Sequence, residues 1–225
     1  MKTAEWDARY SKDDIPWETG RHDRNLERMI EERRLEPCAA LEIGCGTGNN
    51  AIWLADRRFQ VQAVDLSTVA IKAARRKAAR QKVRVGFRVA DVLSDTLPEG
   101  PFKLVFDRGC LHGFETSEDR AKCVGAVHRV LASGGLWLSL IGSRDGPERD
   151  DGPPRWSAAE ITAAVERRFE ILEMKATHFD SDQTEPPRAW ACLMTPRPNA
   201  APLSHAASDG EAASTKKETS TWKPR

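Results

Sequence analysis

The segment Leu41-Glu42-Ile43-Gly44-Cys45-Gly46-Thr47-Gly48-Asn49 constrains the fold more than any other part of this chain. An apolar run, residues 38–44, ends in the first of three glycines within five residues, and residues 49–58 follow with helical periodicity. A strand that enters a helix through glycines gathers free backbone N–H groups and the positive end of a helix dipole at one place. Glycine also allows close approach of a ligand to the backbone. In open α/β sheets that place is the crevice beyond the carboxyl ends of the strands.

The rest of the chain repeats the same alternation. Residues 60–67 and 83–91 read as strands that end in acids, Asp65 and Asp91. Residues 67–81 between them are rich in strong helix formers. Further strands are expected at 102–109 and 134–142, with a helix at 117–132. Ser157 and Glu160 form a capping-box pattern that opens a helix over 157–169. Two last strands, 170–177 and 188–195, have no helix between them and predict an antiparallel edge hairpin. The expected fold is α/β: a Rossmann-like, doubly wound, seven-stranded sheet, mainly parallel. Residues 1–37 form an N-terminal arm, 38–196 the main domain, and 197–225 a tail. The tail is rich in Pro, Ala, Ser, Thr and Lys and is expected to be disordered.

Composition excludes several classes. The chain has 225 residues, and 35 Lys+Arg nearly balance 34 Asp+Glu. A general polyanion binder would be strongly basic. No stretch approaches the ~20 apolar residues of a membrane span, and the N-terminus lacks the apolar region of a secretory signal. The five cysteines are scattered, without CxxC or zinc spacing. A cytoplasmic protein with reduced thiols and no metal is expected.

A nicotinamide site would show G-x-G-x-x-G with pyrophosphate on the helix. Here the spacing is G-x-G-x-G, and Glu42 stands two residues before the first glycine. A carboxylate there disfavours pyrophosphate and favours a cation or amino group. The segment resembles motif I of the class I S-adenosylmethionine-dependent methyltransferases. The resemblance implies S-adenosylmethionine as cofactor, with Glu42, Gly44, Gly46 and Gly48 around its amino-acid end. It places Asp65 and the following Leu66 at the ribose, and Asp91 and Val92 at the adenine.

Three further stretches narrow the resemblance. They are the arm, with Trp6, Tyr10, Pro16 and Trp17; the strand end Asp107-Arg108-Gly109-Cys110-Leu111-His112; and Gly152-Pro153-Pro154. Together they resemble the thiopurine methyltransferases and the related small thiol and halide methyltransferases. That likeness implies an arm acting as a lid, with Trp17 beside the cofactor. It makes Arg108 a substrate-side residue and Asp107 its support or a neighbour of the reacting methyl group. The second substrate arginine of the thiopurine enzymes has no match, which argues against a bulky aromatic thiol. The Asn-Pro-Pro-Tyr type of run that holds planar amines in nucleic-acid and protein amide methyltransferases is also missing.

The expected reaction is methyl transfer to a small soft nucleophile, foremost the sulfur of a thiol or sulfide. Halide, selenium or tellurite methylation is the near alternative. Arg108 is expected to favour a thiolate and His112 to accept a proton. Cys110 is not needed as a methyl carrier when the acceptor attacks directly. A run from Leu66 to Ala90 holds eight basic residues and no acid. It keeps RNA methylation open as a rival, although such runs are usually solvated helix faces. A non-catalytic cofactor-binding module is the other rival. The partner expected is a small molecule, without membrane.

Overall fold

The structure is a computed structural model that describes residues 3–94, 97–146 and 154–198. The helices are α1 (Thr3–Ser11), α2 (Arg24–Glu32), α3 (Asn49–Asp56), α4 (Thr68–Gln81), α5 (Ser117–Val130) and α6 (Ala158–Val165). The strands are β1 (Ala39–Ile43), β2 (Gln60–Asp65), β3 (Gly86–Val89), β4 (Phe102–Arg108), β5 (Leu131–Gly142), β6 (Phe169–His178) and β7 (Arg188–Pro196). They form one seven-stranded sheet in the order β3-β2-β1-β4-β5-β7-β6. β1 to β5 pair in parallel, and β7 is antiparallel to both β5 and β6. The expected Rossmann-like sheet and its antiparallel edge are therefore present.

Both faces of the sheet are covered. Leu26 and Met29 of α2, Leu54 of α3 and Ile71 of α4 pack with Leu104 and Phe106 on one face. Val124 and Val127 of α5 and Ile161 and Val165 of α6 pack with Val105 and Trp137 on the other. The alternation of β4 follows from the two-residue repeat of a strand.

Several boundaries differ from expectation. β5 begins at Leu131, directly after α5, and not at Gly134. Gly134, exposed, and Gly135, buried, remain inside the strand, and the pairing with β4 shifts register between Phe102 and Leu104. Helix α6 keeps its predicted capping box at Ser157 and Glu160 but ends at Val165, so that Phe169 can start β6 in the core. Arg197 does not begin a loose tail. Its amide donates to Arg168 O at 2.8 Å and its Nε to Glu166 O at 2.9 Å. Residues 199–225, where the remaining tail was expected to be disordered, lie outside the described residues, as does Asp151-Gly152-Pro153. Among the described residues, no helix is long and apolar enough to cross a membrane.

Candidate active site

A cavity of about 860 Å³ opens beside the carboxyl ends of the central strands. Its floor is the glycine loop. Gly44, Gly46 and Gly48 have φ of 64°, 52° and 84°, in the left-handed region that favours glycine. Gly44 and Gly46 line the cavity, whereas Gly48 lies beneath it as the N-cap of α3. A Cβ on Gly48 would meet Ala74 Cβ and Phe87 Cζ at 2.9 Å. Its role is therefore packing of loop on helix, and the expectation of a cofactor contact at Gly48 is corrected.

The expected acids stand at the strand ends. Glu42 is almost fully buried yet lines the cavity. Its Oε1 accepts from Asn50 Nδ2 at 2.9 Å, and its Oε2 has no hydrogen-bond partner among the described residues. Burial pushes its carboxyl up to about 8. Asp65 accepts from the Gly46 amide at 2.7 Å and the Ser67 amide at 2.8 Å, and burial raises its pKa. A carboxylate has about four acceptor positions, so Asp65 can still accept from hydroxyls in the cavity. Leu66, Asp91 and Val92 line the same wall, and the Leu93 amide fixes Asp91 Oδ1 at 2.8 Å.

The acceptor side departs from expectation. Asp107 and Arg108 are neighbours in sequence but project to opposite faces of the sheet. Asp107 is fully buried behind the wall and does not line the cavity. Its oxygens accept from the Cys110 and Leu111 amides, each at 3.1 Å, and from Trp137 Nε1 at 2.9 Å. Burial holds its carboxyl up at about 6. Its position makes it a clamp for the turn after β4 and corrects the expectation that it touches substrate or cofactor.

Arg108 lines the cavity, but its guanidinium is already engaged. Nε donates to Asp23 Oδ2 at 2.8 Å, and the two terminal nitrogens donate to Trp17 O and Asp180 O. Asp23 is only 2 % exposed. A charge neutralised at 2.8 Å does little to favour a thiolate, so Arg108 is a tie between arm, sheet and the β6–β7 loop.

His112 is also placed differently from its expected role. It is buried in the wall, and its Nδ1 accepts from the Gly142 amide at 2.7 Å. A neutral imidazole in that state carries its proton on Nε2 and has no acceptor left. Burial, with the Arg108 charge nearby, pulls its pKa down to about 4. The geometry does not suit a general base. Cys110 lines the cavity with a thiol that burial pushes well above its ordinary pKa. That suits a thiol wall and not a nucleophile. Among the described residues, no group of His, Cys, Asp and Glu could hold a metal ion.

The arm supplies the aromatic residues expected in the lid, and with them residues that the sequence did not single out. Asp7 of α1 accepts from Ser67 Oγ at 2.6 Å and Thr68 Oγ1 at 2.8 Å at the start of α4. Tyr10 follows one turn after Trp6, and a Cβ on Gly46 would stand 2.9 Å from its hydroxyl. Trp6 and Tyr10 meet Trp17 edge-on, with ring centres 5.7 and 6.2 Å apart. All three line the cavity. Trp6 and Tyr10 were expected there from their amphipathic spacing, whereas Asp7 gave no signal. Glu18, Asp23 and Asp180 carried none.

Comparison with known proteins agrees with this geometry. A family model described as a methyltransferase domain matches residues 40–135, from β1 to the start of β5. Residues 40–135 thus match a methyltransferase domain, the sheet is the Rossmann-like methyltransferase fold, and S-adenosylmethionine is its cofactor. Among curated relatives, the 2-heptyl-1-hydroxyquinolin-4(1H)-one methyltransferase of Mycobacteroides abscessus is 27% identical over 158 residues, 69% of each chain. A protein of Arabidopsis thaliana named "Probable thiol methyltransferase 2" is 25% identical over 150 residues, covering 66% of this chain and 65% of its own. A solved structure from work on conversion of a disulfide bond into a thioacetal group during echinomycin biosynthesis superposes with a TM-score of 0.75. It is 26% identical and covers 86% of this chain and 91% of its own.

The methyltransferase site fits S-adenosylmethionine on its own features. The buried Glu42 Oε2 lacks a donor that the cofactor's ammonium group would provide. Gly44 and Gly46 leave room for its chain, and Asp65 and Asp91 line the wall, where carboxylates can accept from hydroxyl and amino donors.

Proposed function

We propose that this methyltransferase methylates the sulfur of an organic thiol or related sulfur compound. The observation that carries the reading is that neither side chain expected to serve the acceptor, His112 or Arg108, is free to do so. His112 Nδ1 is taken by Gly142, and Arg108 is consumed by Asp23, Trp17 and Asp180. An alcohol needs a base to become nucleophilic. A thiol, with a reference pKa near ~8.5, is a few per cent thiolate near neutrality without help. When bound, S-adenosylmethionine supplies a methyl carbon that forms a bond to the acceptor sulfur as its bond to the sulfonium breaks.

The chain's own residues align and enclose. Glu42, Asp65 and Asp91 orient the cofactor from three strand ends. Trp6, Tyr10 and Trp17 roof the cavity and exclude water. Phe114, Trp156 and Phe179 give the acceptor side an aromatic wall. The same cavity holds the cofactor, itself drug-sized, beside the acceptor, so its volume alone does not set the acceptor's size. The aromatic wall favours an acceptor with an apolar ring over the smallest thiols, halides or tellurite. Support comes from two relatives whose names concern sulfur chemistry, a thiol methyltransferase and the echinomycin disulfide enzyme.

The test is product identification by mass spectrometry with S-adenosylmethionine and a panel of hydrosulfide, methanethiol, an aromatic thiol, iodide and tellurite. The expected product is the methyl thioether, formed fastest from the aromatic thiol. Binding of S-adenosylhomocysteine without any methylated sulfur would overturn the sulfur reading.

A further inference from the structure

Glu18 of the arm hydrogen-bonds to the glycine loop. Its two carboxylate oxygens accept hydrogen bonds from Thr47 Oγ1 and Asn49 Nδ2. Oε1 also accepts from the Gly20 amide at 2.8 Å, which shapes the turn that presents the carboxylate. Lys77 Nζ lies 3.8 Å from Oε1 and donates to Thr47 Oγ1 at 2.7 Å and to Asn49 Oδ1. The cluster thus joins the arm to the loop, to α3 and to α4. Both ionic partners are largely shielded, with 21% and 29% of their side chains exposed. Charge-assisted hydrogen bonds in such surroundings are stronger than neutral ones.

The position of the cluster matters more than its strength. Glu18, Thr47 and Asn49 all line the cavity. Glu18 is the neighbour of Trp17, whose ring packs on Trp6 and Tyr10 in the roof. Asp7 fixes the far end of the arm on α4, and Asp23 fixes the near end on Arg108. Between these anchors, Glu18 holds the roof down on the loop that carries the cofactor.

We propose that Glu18 is a positioning residue: it latches the arm onto Thr47, Asn49 and Lys77, sets Trp17 over the cavity, and governs how fast cofactor product leaves. The proposal rests on the cofactor reading above but not on the sulfur reading. On this proposal product leaves as the arm lifts, which parts Glu18 from Lys77.

The test is the dissociation rate of S-adenosylhomocysteine, followed by stopped-flow tryptophan fluorescence on the full chain. Glu18→Ala should raise that rate about tenfold or more, with the protein still folded and its thermal midpoint lowered only modestly. Glu18→Gln keeps the shape and one acceptor, so its rate should fall between wild type and Glu18→Ala. Lys77→Ala should act in the same direction, and the double variant should add little to Glu18→Ala, because both remove one contact. Without ligand, protease cleavage within the arm should also quicken in Glu18→Ala and return towards wild type in Glu18→Gln. If Glu18→Ala fails to fold, the comparison of Glu18→Gln with wild type decides. Dissociation unchanged in a folded Glu18 variant overturns the latch and leaves the cofactor site standing. Wild-type protein that does not bind S-adenosylhomocysteine overturns the cofactor reading and the latch together.

Discussion

His112 Nδ1 sits 2.7 Å from the backbone nitrogen of Gly142 and accepts its hydrogen. The bond fixes the tautomer of a buried ring whose pKa lies near 4. Between pH 6 and 8, therefore, methyl transfer to a thiol should show the titration of the thiol and no histidine inflection. His112→Gln should keep the rate within about tenfold of wild type, the lower end of what a general base contributes. The stability effect has a definite sign. The unfolded chain binds a proton near 6.5 that the native ring refuses until about 4, so this residue destabilises the fold as pH falls through that window. Thermal midpoints of wild type and His112→Gln, compared from pH 7 to pH 4, should converge.

Glu42 couples cofactor binding to pH. With its carboxyl near 8, it is mostly protonated at pH 7 before ligand binds. An ammonium group at Oε2 favours the ionised form and expels that proton. Affinity for S-adenosylhomocysteine should then rise with pH through the range just below 8. Calorimetry in buffers of different ionisation enthalpy should detect release of most of one proton at pH 7. Glu42→Gln should abolish both effects. Without ligand the sign reverses for folding: the native carboxyl binds its proton more tightly than the unfolded one, so stability declines as pH rises from about 4.5 to 8.

Arg108 should fail as a conservative site. Truncation to Ala strands the buried Asp23 carboxylate, a class of change that costs about 3–5 kcal/mol. Arg108→Lys retains charge but cannot serve Asp23, Trp17 O and Asp180 O together. Chemical denaturation should show Arg108→Ala far less stable, with Arg108→Lys between it and wild type.

Two glycines two residues apart should separate binding from stability. Gly48→Ala forces a Cβ against Ala74 and Phe87, both inside the core, at a φ of 84°. Overpacking of this kind costs about 1–3 kcal/mol, so the thermal midpoint should drop. Gly46→Ala meets the Tyr10 hydroxyl at 2.9 Å, at the end of a side chain on the arm. Its main effect should be weaker S-adenosylhomocysteine affinity, measured by calorimetry, with a smaller change in midpoint.

Much of the cofactor half was legible in the sequence because its signals are local. A strand, three glycines and a helix follow one another between Leu41 and Asp56, and Asp65 and Asp91 each end a strand. The start of β5 was not legible, since Gly134 and Gly135 read as a break although the strand runs through them. The acceptor half was misread for a different reason. Asp107 and Arg108 look like one motif, yet the pleat sends them to opposite faces. The partners of Arg108 lie 85 residues away at Asp23 and 72 away at Asp180. Glu18 looked like one acid among many, because the loop that gives it meaning is 29 residues further on. Function here depends on contacts between the arm and the strand ends, and no periodicity records them.

The most direct measurement pits sulfur against oxygen on one scaffold. An aromatic thiol and its hydroxyl analogue would be incubated in separate reactions with S-adenosylmethionine labelled in the methyl group, and products identified by mass. With His112 and Arg108 both engaged, methyl thioether is predicted from the thiol and little or no methyl ether from the analogue at pH 7. A methyl ether formed as fast as the thioether would contradict the assignment of sulfur as the acceptor.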